Sequence, residues 1–318
     1  MKLNMSKMIF VTVITLSSLI SLSVNNWFTI WIFMETSLFM FIPLMSKNKV
    51  NDQSMKYFII QSMSSYIFLF SIMWNSIKEN NWNSMMTLSS LMIKIGMPPF
   101  HVWKPDIMKS LAWKECMLLT TLIKIPPMIL INKMICMYLL ILPLSMTLIV
   151  GSMSGFNQLN LKKMMAYSSI FNISWMTSSF MTSKKAMIMF LTIYSFLNIS
   201  AMMFFKTNNL MFVNQIMLIP LKKKLIINLN LLSISGLPPL TGFYPKWMIL
   251  NELVKSSILL TGTMILSSIL SIFIYIQINT FSMSNLFFKK KNNKFFFTKN
   301  YSAPNLIILP IMLIMWTF

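Results

Sequence analysis

Leu91-Met92-Ile93-Lys94-Ile95-Gly96-Met97-Pro98-Pro99-Phe100-His101 is the stretch that decides the fold class. An apolar run carries a lysine, breaks on Gly-x-Pro-Pro and ends on the single histidine of the sequence. A lysine near the middle of a bilayer costs about 2.5–3.5 kcal/mol on insertion scales. A helix break at that depth survives only where protein or water satisfies the freed peptide groups. Together the two defects mark a working site inside a membrane helix.

The composition around this stretch agrees. Of 318 residues, 56% are hydrophobic and 10% charged, and the mean hydropathy is +0.68, too apolar for a soluble domain of this length. The expected class is an all-α, polytopic membrane protein, a single transmembrane domain over 1–318 with no soluble domain. The net charge of +21 does not point to nucleic acid. All 27 basic residues are lysine, so the bidentate readout that arginine provides is missing, and the lysines fall mainly between apolar runs, where they orient a membrane protein. Cys116 and Cys136 lie in apolar segments without metal-ligand spacing and read as small buried hydrophobes. Thirty-five methionines and no arginine fit an AT-rich gene, as in a mitochondrial genome that reads ATA as Met. The first apolar run, from about Met8 to Val24, has no small-x-small cleavage site behind it and is followed at Trp27 by another, so it is expected to be a retained span rather than a signal.

Runs long enough to span a bilayer fall at roughly 5–24, 26–45, 56–76, 84–100, 116–132, 134–156, 161–182, 186–205, 225–242, 256–279 and 302–318. That predicts about eleven transmembrane helices. Segments 101–115 and 244–254 are too short and polar to span and are expected at the interface or as continuations of a broken helix. With eleven spans, the side holding the N-terminus collects nineteen lysines, Lys104, Lys162 and Lys224 among them, against six on the other. The asymmetry puts the N-terminus on the side from which insertion occurs. Lys94 and Lys124 are left over, inside spans.

A repeat links the two halves. Gly96-Met97-Pro98-Pro99-Phe100 returns 140 residues later as Gly236-Leu237-Pro238-Pro239-Leu240, and Pro105 as Pro245. Two interrupted spans in corresponding halves are the sequence pointer to a transport site. The broken helices are expected near 94–105 and 234–247, in spans 4 and 9, which run in opposite directions on this count, as in an inverted repeat. The residue matching Lys94 is Ile234, so the charge at the second break falls beyond it, on Lys246. A weaker echo sets Ile93-Lys94-Ile95-Gly96 against Ile123-Lys124-Ile125-Pro126-Pro127.

Glu35 is the only carboxylate in any span. Desolvation requires it to be neutral or paired, and an embedded lysine is its natural partner; a protonated Glu held by hydroxyls, or an interfacial one, are the alternatives. Lys94 and Lys124 either pair inside the protein or snorkel toward water, which is hardest for Lys124. Lys246, beside Trp247, reads equally as a relay residue or an interfacial anchor. His101 is either structural or part of a proton path, since its ordinary pKa lies near neutrality. One histidine cannot supply bis-His heme ligation, and no nucleotide-binding motif is present.

Taken together, several motifs resemble the family of NADH–ubiquinone oxidoreductase chain 2, an antiporter-like subunit of the membrane arm of mitochondrial respiratory complex I. They are Met34-Glu35 through Phe41-Ile42-Pro43-Leu44, Lys94-x-Gly96-x-x-Pro99-Phe100-His101-x-Trp103-x-Pro105, Leu122-x-Lys124-x-x-Pro127, Lys162-Lys163-x-x-Ala166-Tyr167-Ser168-Ser169-Ile170, and Gly236-Leu237-Pro238-Pro239-x-x-Gly242-Phe243-x-Pro245-Lys246-Trp247. The resemblance runs from about residue 27 to 250. It implies an antiporter-like fold of two inverted repeats and a role in proton translocation coupled to NADH oxidation and ubiquinone reduction. Glu35 matches the family's embedded glutamate, Lys94 its paired lysine, Lys124 the central lysine, Lys246 the lysine near the second break and His101 the histidine of the Pro-Phe-His-x-Trp signature. It also implies a multi-pass protein of the mitochondrial inner membrane, with the N-terminus in the matrix and the C-terminus in the intermembrane space. No cofactor is expected in this chain; NADH, FMN, iron–sulfur clusters and ubiquinone belong to other subunits. Expected partners are other membrane-arm subunits, including neighbouring antiporter-like ones, and lipids such as cardiolipin, with no nucleic acid. Two other classes fit the buried charges: a stand-alone cation/proton antiporter, and a scaffold subunit without its own proton channel.

Overall fold

The computed structural model describes residues 5–46, 51–77, 81–134 and 137–284. The expected span at 302–318, Cys136, the lysines of 289–299 and the C-terminus lie outside the described residues. Within them the chain is helical: α1 (Met5–Ser23), α2 (Trp27–Ser46), α3 (Asn51–Ile77), α4 (Asn81–Ile95), α5 (Trp103–Ser110), α6 (Trp113–Thr120), a 3-10 turn (Leu122–Lys124), α7 (Ile125–Lys133), α8 (Met137–Ser154), α9 (Leu161–Thr182), α10 (Lys184–Thr207), α11 (Val213–Ile216), α12 (Leu221–Ser235), α13 (Phe243–Leu253) and α14 (Ile258–Ser284).

Among the described residues, six units are long and apolar enough to cross a membrane: α1, α2, Asp52–Asn75 of α3, Trp113–Lys133, Lys185–Thr207 of α10 and Ile258–Met283 of α14. Ser84–Ile95 and Leu139–Ser154 are apolar but shorter. Of the other expected spans, 302–318 lies outside the described residues, α4 and α12 are short helices ending before Gly96 and Gly236, and α9 is rich in hydroxyls.

The described residues are apolar on the outside and carry many hydroxyls among the apolar clusters of the interior. Leu16, Leu19, Tyr66, Phe70, Leu266 and Phe273 are exposed, whereas Ser17, Ser21, Ser64, Ser71, Thr87 and Ser90 are buried, as expected of a protein surrounded by lipid or by other membrane chains. The polar extreme is α9, which begins at an Asn160 side chain accepting from the Lys162 N–H at 3.0 Å. It packs against α5, α6, α7, α8, α10 and α13. Its buried hydroxyls fold back onto its own backbone: Ser168 donates to Met165 O, Ser169 to Ala166 O, Ser174 to Phe171 O and Ser178 to Trp175 O. Back-bonding lets a Ser/Thr-rich helix be buried without orphaned donors.

Both breaks are followed by second half-helices, α5 and α13, so segments 101–115 and 244–254 continue the broken helices rather than lying apart from them. Both half-helices rest on α9. Three of the lysines counted on the side of the N-terminus, Lys104, Lys162 and Lys224, are buried, at 1%, 5% and 3% exposed. Each reaches a backbone carbonyl instead: Lys162 Nζ donates to Leu111 O, behind α5, and Lys224 Nζ to Ser282 O at 3.3 Å, near the end of α14.

α8 and α9 approach closely at Gly151, where an added Cβ would lie 2.7 Å from the Phe171 backbone N. Replacing Gly151 with Ala is expected to destabilise the protein by about 1–3 kcal/mol, since the helices must separate. Gly262, on the outer helix α14, has nothing within 4 Å of the same position. Its replacement by Ala is expected to be neutral or to stabilise by up to about 1 kcal/mol through helix propensity. Thermal unfolding of the detergent-solubilised protein separates the two outcomes.

Candidate functional site

Glu35, on α2, and Lys94, in the last turn of α4, form an ion pair with Nζ 2.8 Å from Oε1. Their side chains are 14% and 4% exposed, so the pair is buried between helices and the partner of Glu35 is the embedded lysine rather than Ser or Thr hydroxyls. Its position at a helix C-terminus adds the favourable field of the helix dipole for the cation.

The end of α4 explains why a break is tolerated here. The last four carbonyls of a helix have no intrahelical partner, and all four find one. Met92 O accepts from the Gly96 and Met97 N–H groups at 2.9 and 3.0 Å, Ile93 O from Trp103 Nε1 at 3.2 Å, Lys94 O from Gln61 Nε2 at 3.2 Å, and Ile95 O from Lys104 Nζ at 3.1 Å. Gly96 has φ +78°, the left-handed turn that glycine adopts without strain.

The second break repeats this arrangement at the 140-residue offset. Gly236 has φ +85°. Leu232 O accepts from the Gly236 and Leu237 N–H groups, Ser233 O from Gly236, and Ser235 O from Lys246 Nζ at 2.7 Å. The lysine stems cross the glycines: Lys104 Cδ lies 3.3 Å from where a Gly96 Cβ would stand, and Lys246 Cδ 3.0 Å from the same point on Gly236. The glycines thus allow both the turn and the passage of a lysine over it.

Lys246 is 5% exposed and its ammonium lies 5.2 Å from the centre of the Phe171 ring and 5.4 Å from that of Trp175, both on α9. It is therefore not an interfacial anchor, although Trp247 beside it is 40% exposed. Lys124 does not snorkel. It closes the 3-10 turn that splits the expected 116–132 span, which Pro126 and Pro127 force by withdrawing two N–H donors at the start of α7. Its Nζ donates to Ser169 O on α9 at 3.1 Å and to the Tyr194 hydroxyl at 3.4 Å. A cavity of about 20 Å3, room for one water, is lined by Asn172, Tyr194, Ser233 and Lys246 among others. Tyr194 therefore touches Lys124 on one side and faces the Lys246 cavity on the other.

His101 lies in the first break, half-buried, with Nδ1 buried and no hydrogen-bond partner. The structure does not join it to Lys94 or Lys124. Lys104 is the residue that sequence reasoning missed, because it was counted only among the lysines that orient the chain. The available signal was the cluster after each break, Trp103-Lys104-Pro105 and Pro245-Lys246-Trp247.

The profile of the family described as NADH:quinone oxidoreductase/Mrp antiporter, TM, matches residues 24–274, which contain all of these groups. A NADH-ubiquinone oxidoreductase chain 2 of Locusta migratoria is 37% identical over 290 residues, covering 87% of this chain and 85% of that protein. That of Anopheles gambiae is 32% identical over 324 residues, covering 96% and 94%. This chain belongs to the NADH-ubiquinone oxidoreductase chain 2 family. The fold extends beyond close sequence likeness: a chain of respiratory complex I from Thermus thermophilus superposes with a TM-score of 0.77 at 17% identity, covering 98% of this chain and 77% of its own length. A chain of the Mrp complex from Dietzia sp. does so with a TM-score of 0.75 at 14% identity, covering 85% and 59%. Membership in the chain 2 family agrees with a multi-pass, antiporter-like helical architecture.

Glu35→Gln alone leaves the Lys94 cation buried without its carboxylate and is expected to cost about 3–5 kcal/mol. Glu35→Gln combined with Lys94→Met removes both charges and is expected to restore much of that loss. A double-mutant cycle on thermal unfolding should give a coupling of about 1–3 kcal/mol.

Proposed function

We propose that this chain is a core membrane-arm subunit of NADH:ubiquinone oxidoreductase that contributes to proton translocation driven by NADH oxidation and ubiquinone reduction. The observation that carries the proposal is the succession of buried ionisable groups on interrupted helices: Glu35–Lys94 at 2.8 Å, Lys124 on Ser169 O and Tyr194, and Lys246 at the second break. The redox chemistry and its cofactors reside in other subunits, and this chain supplies the proton path.

In this reading, charge movement elsewhere in the arm weakens the Glu35–Lys94 pair. The Lys94 ammonium, without its counter-charge in a buried site, gives up its proton, which passes by way of Lys124, Tyr194 and a water in the adjacent cavity to Lys246. His101, with an unpartnered buried Nδ1, is assigned to the same path. The two breaks belong to repeats related by inversion within one domain. The protein lies in the mitochondrial inner membrane, the N-terminus in the matrix and the C-terminus in the intermembrane space. Its neighbours are other membrane-arm subunits, antiporter-like ones included. Lipids such as cardiolipin suit a groove of about 960 Å3 whose lining is largely apolar and includes Lys7, Lys114 and Lys206.

A stand-alone cation/proton antiporter is the second reading, favoured by the shared fold with the Mrp complex chain. Sodium–proton exchange by the isolated chain in vesicles would support it.

Lys124→Gln and Lys246→Gln complexes, reconstituted in proteoliposomes, are expected to assemble and to pump fewer protons per NADH oxidised. Unchanged stoichiometry in both variants would leave the chain a scaffold.

A further inference from the structure

We propose that the contact between α12 and α14 is a second proton entry, leading from the end of the fold where α12 begins, through Ser282 and Tyr275, to Lys246. The inference rests on the proton-translocation reading and deepens it by naming where Lys246 is loaded.

α12 and α14 pack against each other. Outward, α14 presents Leu266, Phe273 and Phe281. Inward, the contact is polar. On α12, Lys224, Asn228, Leu231 and Ser235 stand at the spacing of one helix face and are buried. On α14, Ser271, Tyr275 and Ser282 are buried on the facing side, and Asn279 lies between the last two. Lys224 Nζ donates to Ser282 O at 3.3 Å, and Asn228 Nδ2 donates to the Ser282 hydroxyl at 3.1 Å. That hydroxyl has Asn228 Oδ1, at 3.3 Å, and Asn279 O, at 2.8 Å, as acceptors. Further in, the Asn279 amide has Nδ2 and Oδ1 buried with no hydrogen-bond partner among the described residues, and a water satisfies such a group.

At the inner end of the seam is a second cavity of about 20 Å3, again room for one water, lined by Ser152, Ser168, Asn172, Ser235, Ser271 and Tyr275 among others. It shares Asn172 and Ile234 with the cavity that Lys246 lines. Ser235 O, moreover, accepts from Lys246 Nζ. The polar contact therefore runs from Lys224, beside the exposed Lys223, to the second break. On the proposed orientation its outer end is on the matrix side.

Polar side chains also serve as glue between membrane helices, and the Asn228–Ser282 pair alone would be that. Glue does not call for a hydroxyl-lined cavity of water size at its inner end, since close packing fills such space. A path does. Lys246, once it has released its proton, is a neutral amine. Reloading breaks an O–H bond of the cavity water and forms an N–H bond on Nζ. The water is reprotonated by the Tyr275 hydroxyl, and Tyr275 by the water at Asn279, which draws on the Ser282 hydroxyl and on solution beyond it. Each hop breaks one bond and forms one, so one proton moves inward. Hydroxyls and waters carry it, while the amides of Asn172, Asn228 and Asn279 hold them in place.

The test uses intact complex in proteoliposomes with the NADH-oxidising side outward. It reads assembly, protons per NADH and coupled NADH oxidation at two outside pH values about one unit apart. Tyr275→Phe removes a hydroxyl and keeps the ring. Asn228→Leu combined with Ser282→Ala removes both partners of the bonded pair together, which limits the cost to folding. Each is expected to assemble at the level of the unmodified complex, with coupled oxidation slower by about tenfold or more. Their deficit relative to unmodified complex should shrink at the lower pH, where more protons compensate a slow entry. Unmodified rate and stoichiometry in both, or slowing that is equal at the two pH values, would overturn the proposal and leave the contact as glue. Should the double variant fail to assemble, Tyr275→Phe decides; should that fail too, Ser271→Ala, which trims only the cavity wall, is read in the same way. Lys246→Gln in the same preparation guards the underlying reading. If it pumps normally, the proton path through this chain fails; if it alone is impaired, only this entry does.

Discussion

A helix that stops inside hydrocarbon leaves four carbonyls facing a medium with nothing to donate, and each unpaired group is expensive there. The architecture around the functional residues follows from answering that demand twice. At each break a left-handed glycine turns the chain so that the following N–H groups cover the first exposed carbonyl. The returning half-helix then sends side chains back to cover others, joined at the first break by Gln61 from α3. The chemistry of the site grows from this requirement, because two of those covering side chains, Lys104 and Lys246, are ionisable.

The same solution recurs through the molecule. Lys133 donates to Val24 O and Asn25 O behind α1, Lys162 to Leu111 O behind α5, and Lys224 to Ser282 O near the end of α14. In a sequence with no arginine, lysine performs the helix-end capping that glycine, water or other polar side chains also serve elsewhere. A long apolar stem crosses the packed interior and delivers three donors to a carbonyl, which also suits the negative end of the helix dipole. Lys124 departs from this pattern. Its acceptor, Ser169 O, lies mid-helix, and its 3-10 turn is enforced by two prolines rather than by a glycine.

Much of this was legible in the chain. The Gly-x-Pro-Pro repeat located both breaks, and a lone span carboxylate beside an embedded lysine anticipated the Glu35–Lys94 pair. What escaped was information that exists only after packing. In sequence, Lys104, Lys162 and Lys224 served only to orient the chain, and nothing local announces that their stems are buried and their amines bonded to carbonyls. A fixed offset aligns backbone positions, but lysines two residues out of register reach the same carbonyl because their stems are long. Span counting by apolarity did place α9 at 161–182, where the helix lies; what it could not show is that the hydroxyls of this helix are buried and bonded to its own preceding turn. The bond linking Lys124 to α9 joins residues 45 positions apart, and no local pattern announces it.

The hydroxyls of α9 have a further consequence. Each donates to a carbonyl of its own helix, yet keeps lone pairs free and can rotate about its Cβ–O bond. The hydroxyls carry dipoles but no net charge, so the helix that receives Lys124 on its Ser169 carbonyl is polar along its length without bringing a further ion into the interior.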